Sequence, residues 1–151
     1  MYVRICTLLI CFVVCSSFIS GPSNAEDPYY AGMRFYEVPF EQAQALAKKE
    51  NKMIYLDIGA NWCGPCRMIK NKTYPNPKVG KYFNFRFISV MKDGERGEGY
   101  ELAKHYKVRS YPTLLFLTPE GEVVKASRGY KNPEELLKFA EASYQKFKKK
   151  Y

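Results

Sequence analysis

Two cysteines, Cys63 and Cys66, stand two residues apart in the stretch NWCGPCRMIK (61–70), directly behind Trp62, the only tryptophan of this 151-residue chain. Three chemistries suit such a pair: a metal clamp, a structural staple, or a disulfide that opens and closes during a reaction. A structural zinc site needs four ligands. Beyond residue 25 the chain offers Cys63, Cys66 and one histidine, His105. That histidine falls in a helical stretch between Lys104 and Tyr106, where an exposed or partly packed ring is the ordinary outcome. No metal is therefore expected within one chain, and only a zinc site shared between two chains remains open.

The other three cysteines, Cys6, Cys11 and Cys15, lie in an N-terminal segment that reads differently from the rest. Arg4 precedes an apolar run (5–19) that is short of the roughly 20 residues a membrane span requires. Ser23 and Ala25 supply the small residues that a signal peptidase cuts behind. The segment reads as a signal peptide, 1–25, cleaved after Ala25, with an uncleaved anchor or a lipid on Cys11 or Cys15 as the less favoured readings. Cleavage leaves Cys63 and Cys66 as the only cysteines. An exported chain with a single pair is not a disulfide-built scaffold, so a hydrophobic core must hold it together and the pair is available for chemistry.

The formal charge is +9 and becomes +8 when Arg4 leaves with the peptide. The clearest basic cluster, Lys146, Lys148, Lys149 and Lys150, reads as the solvated end of a helix, where cations suit the negative end of the helix dipole. Attraction to an anionic membrane is the alternative. No nucleic-acid motif appears, and nucleic acid is not an expected partner.

The elements that must position the pair are legible from periodicity and punctuation. Residues 33–38 could form a first strand, so 26–36 is an N-terminal extension or first strand and 37–151 the main domain. Residues 40–51 place Phe40, Ala43, Leu46 and Ala47 at helical spacing. Residues 53–59 (MIYLDIG) fit a strand buried on both faces. A helix should begin at the cysteines. It should break at Tyr74 and Asn76, each of which precedes a proline. Asn76 then caps a second helix with Pro77 in its first turn. Residues 85–91 read as a strand, 92–99 as a glycine-rich loop and 100–108 as a helix. A hairpin of strands 113–118 and 122–127 turns at Pro119 and Gly121, and a last helix starts after Asn132. This order requires an α/β fold: a largely parallel sheet with helices on both faces and an antiparallel edge.

That placement favours redox use of the pair. A strand feeding a helix whose first turn holds Cys63 turns unpaired backbone N–H groups and the positive dipole end toward its sulfur, which favours thiolate. Cys63 should be substantially ionised near neutrality and attack a substrate disulfide. Cys66, one turn on and less exposed, would resolve the mixed disulfide. Pro65 limits backbone freedom between them, and Gly64 permits close approach of another chain.

WCGPC after a buried strand, with YPT (111–113) entering a hairpin, resembles the thioredoxin superfamily over roughly residues 37–147. The section NKTYPNPKVGKYFNFRFISV is more similar to exported thioredoxin-like proteins related to the periplasmic C-terminal domain of the transmembrane disulfide reductase. The resemblance implies a central mixed sheet of four to five strands flanked by helices on both faces. It assigns Asp57, in the apolar run 53–58, as the buried acid that accepts the proton of Cys66, against an aspartate that merely caps a turn. It makes Pro112 a cis-proline beside the cysteines, and it places Trp62, Gly64, Pro65, Tyr111, Pro112 and Gly129 along the substrate contact. Tyr111 stands where isoleucine is usual, and its hydroxyl either tunes the chemistry or packs. Gly59 replaces a frequent second tryptophan, and Ser89 is the nearest match to a missing lysine.

The expected function is a thiol–disulfide oxidoreductase, periplasmic or secreted, reducing disulfides in exported proteins. It needs no cofactor beyond the redox-active disulfide Cys63–Cys66. Its partners would be protein disulfides and a membrane-bound thiol electron donor, with the chain itself a monomer. Disulfide oxidation or isomerisation, or a non-catalytic binding module of the same fold, are the rivals.

Overall fold

The computed structural model describes residues 32–150, so the expected signal peptide and the start of the N-terminal extension lie outside the described residues. The central element is β1 (Met53–Gly59), buried along its whole length. It pairs in parallel with β2 (Phe87–Asp93) and antiparallel with β3 (Thr113–Leu117). β3 in turn pairs antiparallel with β4 (Val123–Arg128), which gives the order β2-β1-β3-β4. The sheet is mixed, but only one of its three pairings is parallel. The largely parallel sheet expected from the alternation of elements is thus corrected. Only β1 and β2 are joined by a crossover of helices on one side, whereas the chain enters β3 from the opposite end.

Alternate residues of β1 serve two cores, as a strand covered on both faces must. Met53 and Tyr55 join Phe87, Leu114 and Phe116 beneath α3 (Pro77–Arg86) and α5 (Pro133–Lys150), which contribute Val79, Phe83, Leu136 and Ala140. Ile54, Leu56 and Ile58 join Ile88, Val90, Leu115 and Leu117 beneath α1 (Phe40–Glu50) and α4 (Gly97–His105). In the first core the rings of Tyr55, Phe83, Phe87 and Phe116 pack with centroids 5.0–6.0 Å apart.

The caps follow the sequence signals. Asn76 Oδ1 accepts from Lys78 N at 3.0 Å and Val79 N at 3.3 Å, with Pro77 opening α3. Asn132 and Glu135 exchange backbone and side-chain bonds of 2.9 Å at the start of α5, a reciprocal cap. Asn51 ends α1 in the left-handed region at φ 53.

Three expectations move. Residues 33–38 are extended but form no strand. Met33 N donates to Tyr74 O and Tyr36 N to Ser89 O, each at 2.8 Å, while Arg34 N donates to Asn84 Oδ1. Bonds to three separate elements do not make a ladder. β2 begins two residues later than expected because α3 continues through Arg86. α4 starts within the glycine-rich stretch, at Gly97, and Gly99 inside it lies so close to the Asp93 backbone that no side chain would fit.

Phe83 is fully buried, while Phe85, two residues on, is 73% exposed. Phe83→Ala should cost about 3–5 kcal/mol of unfolding free energy in urea titration, and Phe85→Ala within about 0.5 kcal/mol of nothing.

Candidate active site

β1 ends at Gly59, and the chain turns through Ala60–Trp62 into α2 (Gly64–Met68). Cys63 N donates to Ala60 O at 3.2 Å. The Arg67 guanidinium donates to the carbonyls of Asn61 at 3.3 Å and Trp62 at 3.1 Å, pinning the turn. Cys63 is the N-cap of α2 rather than a member of its first turn. Its sulfur accepts the Cys66 N–H at 3.1 Å, so a backbone donor that the helix leaves unpaired points at Sγ. Cys63 and Cys66 form a disulfide, their Cα atoms 5.2 Å apart. Pro65 sits in the opening turn, where its missing N–H costs nothing. Cys66 is the less exposed of the two, as expected, but by little: Cys63 is 3% and Cys66 1% exposed, in a cluster with Ala60 against which Tyr111 packs.

The peptide bond from Tyr111 to Pro112 is cis. Gly129 N donates to Pro112 O at 2.8 Å, which brings the end of β4 to this turn. Gly129 has φ +80 and open space where a side chain would stand, and Gly64 is equally unobstructed. Trp62, 67% exposed, meets the Tyr111 ring edge-on at 6.2 Å and donates from Nε1 to Glu95 Oε2 at 3.0 Å. Tyr111 therefore packs. A Cβ on Gly94 would lie 2.7 Å from its hydroxyl, and burial, then Glu95 and Asp93, push that phenol up. Trp62 and Gly64 thus flank Cys63 in the chain, Tyr111 packs against the cysteine cluster, and Pro112 and Gly129 meet on the cis-proline turn that follows Tyr111.

Asp57 lies mid-strand in β1, opposite Leu114 and Met91, and is 1% exposed, so it caps no turn. Its Oδ2 accepts from the Tyr74 hydroxyl at 2.6 Å, whereas Oδ1 has no hydrogen-bond partner among the described residues. The position a Gly59 Cβ would occupy is 3.2 Å from Cys66 Sγ and 3.9 Å from Asp57 Oδ1. The glycine thus leaves a narrow gap, tight for even a methyl group, that borders both groups. It also lines an open cleft of about 650 Å³, with Lys70 and Lys92 on its walls.

Two participants escape the sequence reading. After α2 the chain widens into a π-helical turn, Ile69–Thr73, which ends with Tyr74 N donating to Ile69 O at 3.0 Å. The turn places Lys70 where its charge reaches Asp57 and sends Tyr74 inward to the carboxylate. Ser89, the nearest match to the missing lysine, pairs with Tyr55 instead, and its buried hydroxyl has no partner among the described residues. The only signals were Lys70 one helical turn past Cys66 and a tyrosine before Pro75. His105 is exposed at the end of α4 beside Tyr106. Among the described residues no group of three or more His, Cys, Asp or Glu is placed to hold a metal.

Burial lifts the Asp57 carboxyl from its ordinary 3.8 to about 6, while the Tyr74 hydrogen bond and the Lys70 ammonium act in the opposite direction. A folded-state value above the unfolded one favours the protonated acid on folding. The contribution is complete below pH ~4 and is lost as pH rises through about 6. In urea unfolding of the oxidised protein, wild type should lose about 2 kcal/mol relative to Asp57→Asn between pH 4 and pH 8.

The sequence model of the thioredoxin-like domain family matches residues 40–143. The thiol:disulfide interchange protein DsbD of Salmonella typhimurium is 27% identical over 109 residues, which are 72% of this chain and 19% of that protein. The chain therefore spans about a fifth of the length of that relative. A candidate disulphide-isomerase from Bacteroides thetaiotaomicron, solved in solution, is 39% identical with a TM-score of 0.67, over 75% of this chain and 93% of that one. The oxidised C-terminal domain of Neisseria meningitidis DsbD shares the fold at 21% identity and a TM-score of 0.59, over 74% of this chain and 98% of that one. The chain belongs to the thioredoxin-like family of disulfide oxidoreductases, with Cys63–Cys66 as its CXXC pair.

Proposed function

We propose that this chain is an extracytoplasmic protein-disulfide reductase. The observation that carries the reading is the Cys66 N–H aimed at Cys63 Sγ from the start of α2, an arrangement that lowers the free energy of a thiolate on Cys63 once the disulfide is opened. The thiolate attacks one sulfur of a substrate disulfide, forming a mixed disulfide and releasing the other sulfur as a thiolate. Cys66 then gives its proton to Asp57 and attacks Cys63 Sγ. The substrate leaves with both sulfurs reduced, and Cys63–Cys66 is oxidised by two electrons. No cofactor beyond the cysteine pair enters this scheme.

The substrate would lie across Trp62, Gly64, Pro65 and the cis-proline turn. Pro112 has no N–H, and a strand alongside Tyr111 would pair by β-augmentation. The open faces of Gly64 and Gly129 allow its backbone to approach. An exported location rests on the reading of residues 1–25 as a signal peptide, and the likeness to DsbD supports it. Among the described residues no helix is long and apolar enough to cross a membrane. In an oxidising compartment a reductase needs a supply of electrons, for which a membrane-bound dithiol donor is the natural source. The Gly64-Pro65 dipeptide, which resembles that of reducing members, supports the direction.

One observation favours a second reading. The solved candidate disulphide-isomerase is 39% identical, and isomerisation requires attack and release by Cys63 alone. Equilibration with glutathione separates the two. A reductase pair should give a potential below about −200 mV, whereas a value near the roughly −180 mV of protein disulfide isomerase favours isomerisation and one near the roughly −120 mV of strong oxidants contradicts the direction assigned. In Cys66→Ser, Cys63 should accumulate mixed disulfides with partner proteins, resolvable by mass. A preparation without adducts would count against substrate turnover through this sulfur.

A further inference from the structure

Asp57 has two oxygens in unlike surroundings. Oδ2 accepts the Tyr74 hydroxyl at 2.6 Å, and that hydroxyl lies 3.0 Å from the hydroxyl of Tyr55. A phenol has one proton to donate. Since Tyr74 donates to Asp57, Tyr55 must donate to Tyr74, and the chain runs Tyr55 to Tyr74 to Oδ2. Both phenols are buried, and burial together with the neighbouring Asp57 charge pushes each well up, so both keep their protons. Oδ1 has no partner among the described residues and borders the gap at Gly59 that also borders Cys66 Sγ.

We propose that Tyr74, backed by Tyr55, is a positioning residue that occupies Oδ2 of Asp57 and leaves Oδ1 as the oxygen that exchanges the Cys66 proton. The inference rests on Asp57 being the proton acceptor for Cys66. In the resolving step the Cys66 S–H bond breaks and an O–H bond forms on Oδ1. The sulfur's electron pair attacks Cys63 Sγ, and the bond from Cys63 to the substrate sulfur breaks with its electron pair going to the substrate. The tyrosines keep their protons throughout. Because Oδ2 is held by a donor in both charge states of the acid, the carboxyl cannot rotate its protonated oxygen away from the sulfur without giving up that bond.

The groups that face Asp57 are Tyr55 from its own strand, Cys66 from α2, and Lys70 and Tyr74 from the π-helical turn and its end. Lys70 lowers the carboxyl through its charge alone, whereas Tyr74 does so by a directed bond, which makes the two separable. Tyr74 also packs, its ring 4.8 Å from that of Phe35 and 6.4 Å from that of Tyr55, and phenylalanine would keep those contacts. Tyr74→Phe removes the hydroxyl alone.

The test reads the Asp57 carboxyl by carbon-13 NMR and, separately, the pH dependence of mixed-disulfide resolution by Cys66, in the full chain. In Tyr74→Phe the carboxyl titration should rise by roughly one pH unit, and the acidic limb of the resolving step should rise with it. The initial attack by Cys63, which does not pass through Asp57, should keep its own pH dependence. Tyr55→Phe should shift both readouts in the same direction by less, and it provides the test if Tyr74→Phe does not fold. An unmoved carboxyl in a folded variant overturns the inference, as does a moved carboxyl with an unmoved limb. Asp57→Asn distinguishes the two levels. A limb that persists in Asp57→Asn refutes Asp57 as the proton acceptor, whereas a limb lost in Asp57→Asn but unmoved in Tyr74→Phe refutes only the role of Tyr74.

Discussion

The Cys66 N–H bond to Cys63 Sγ is the interaction on which the rest of the structure converges. It exists because β1 stops at Gly59 and the chain starts a helix four residues later with Cys63 as its cap. A helix start leaves backbone donors without partners, and this chain aims one of them at a sulfur instead of a serine or aspartate oxygen. The strand that delivers the cap is buried along its whole length, and both hydrophobic cores fasten onto it. Precision at the sulfur is therefore inherited from the packing of Met53 to Ile58.

The same strand carries the site's cost. Asp57 places a carboxylate in the buried interior of the sheet, where burial disfavours its charged form and pushes its pKa up. The fold moderates that penalty with the Tyr74 hydrogen bond and the charge of Lys70, and among the described residues the second oxygen has no hydrogen-bond partner. A purely structural acid would be expected to satisfy both oxygens. An oxygen left open toward Gly59 and Cys66 fits the proton-accepting role proposed for Asp57.

Much of this was legible in the sequence. The caps at Asn76 and Asn132, the buried strand 53–59 and the hairpin after Pro112 follow from turn chemistry and hydrophobic runs, which act locally. The cysteine pair could be placed at a helix start for the same reason. What stayed hidden depended on contacts between distant segments. Residues 33–38 have strand-like composition, but their hydrogen bonds go to three different elements. The sheet's sense of pairing turned on where the chain re-enters after α4, which no local pattern encodes. Tyr74 reads as the residue that ends a helix before Pro75, and only the π-helical turn brings its hydroxyl to Asp57. Lys70 was invisible as a neighbour of Asp57 for the same reason.

The start of α2 should make Cys63 more acidic than an ordinary thiol. The most direct measurement of that acidity is the pH dependence of Cys63 alkylation in the reduced Cys66→Ser protein, folded and in urea. The account predicts that the folded protein reacts with a midpoint clearly below that of the unfolded chain. Coincident midpoints, or a folded midpoint above the unfolded one, would contradict it.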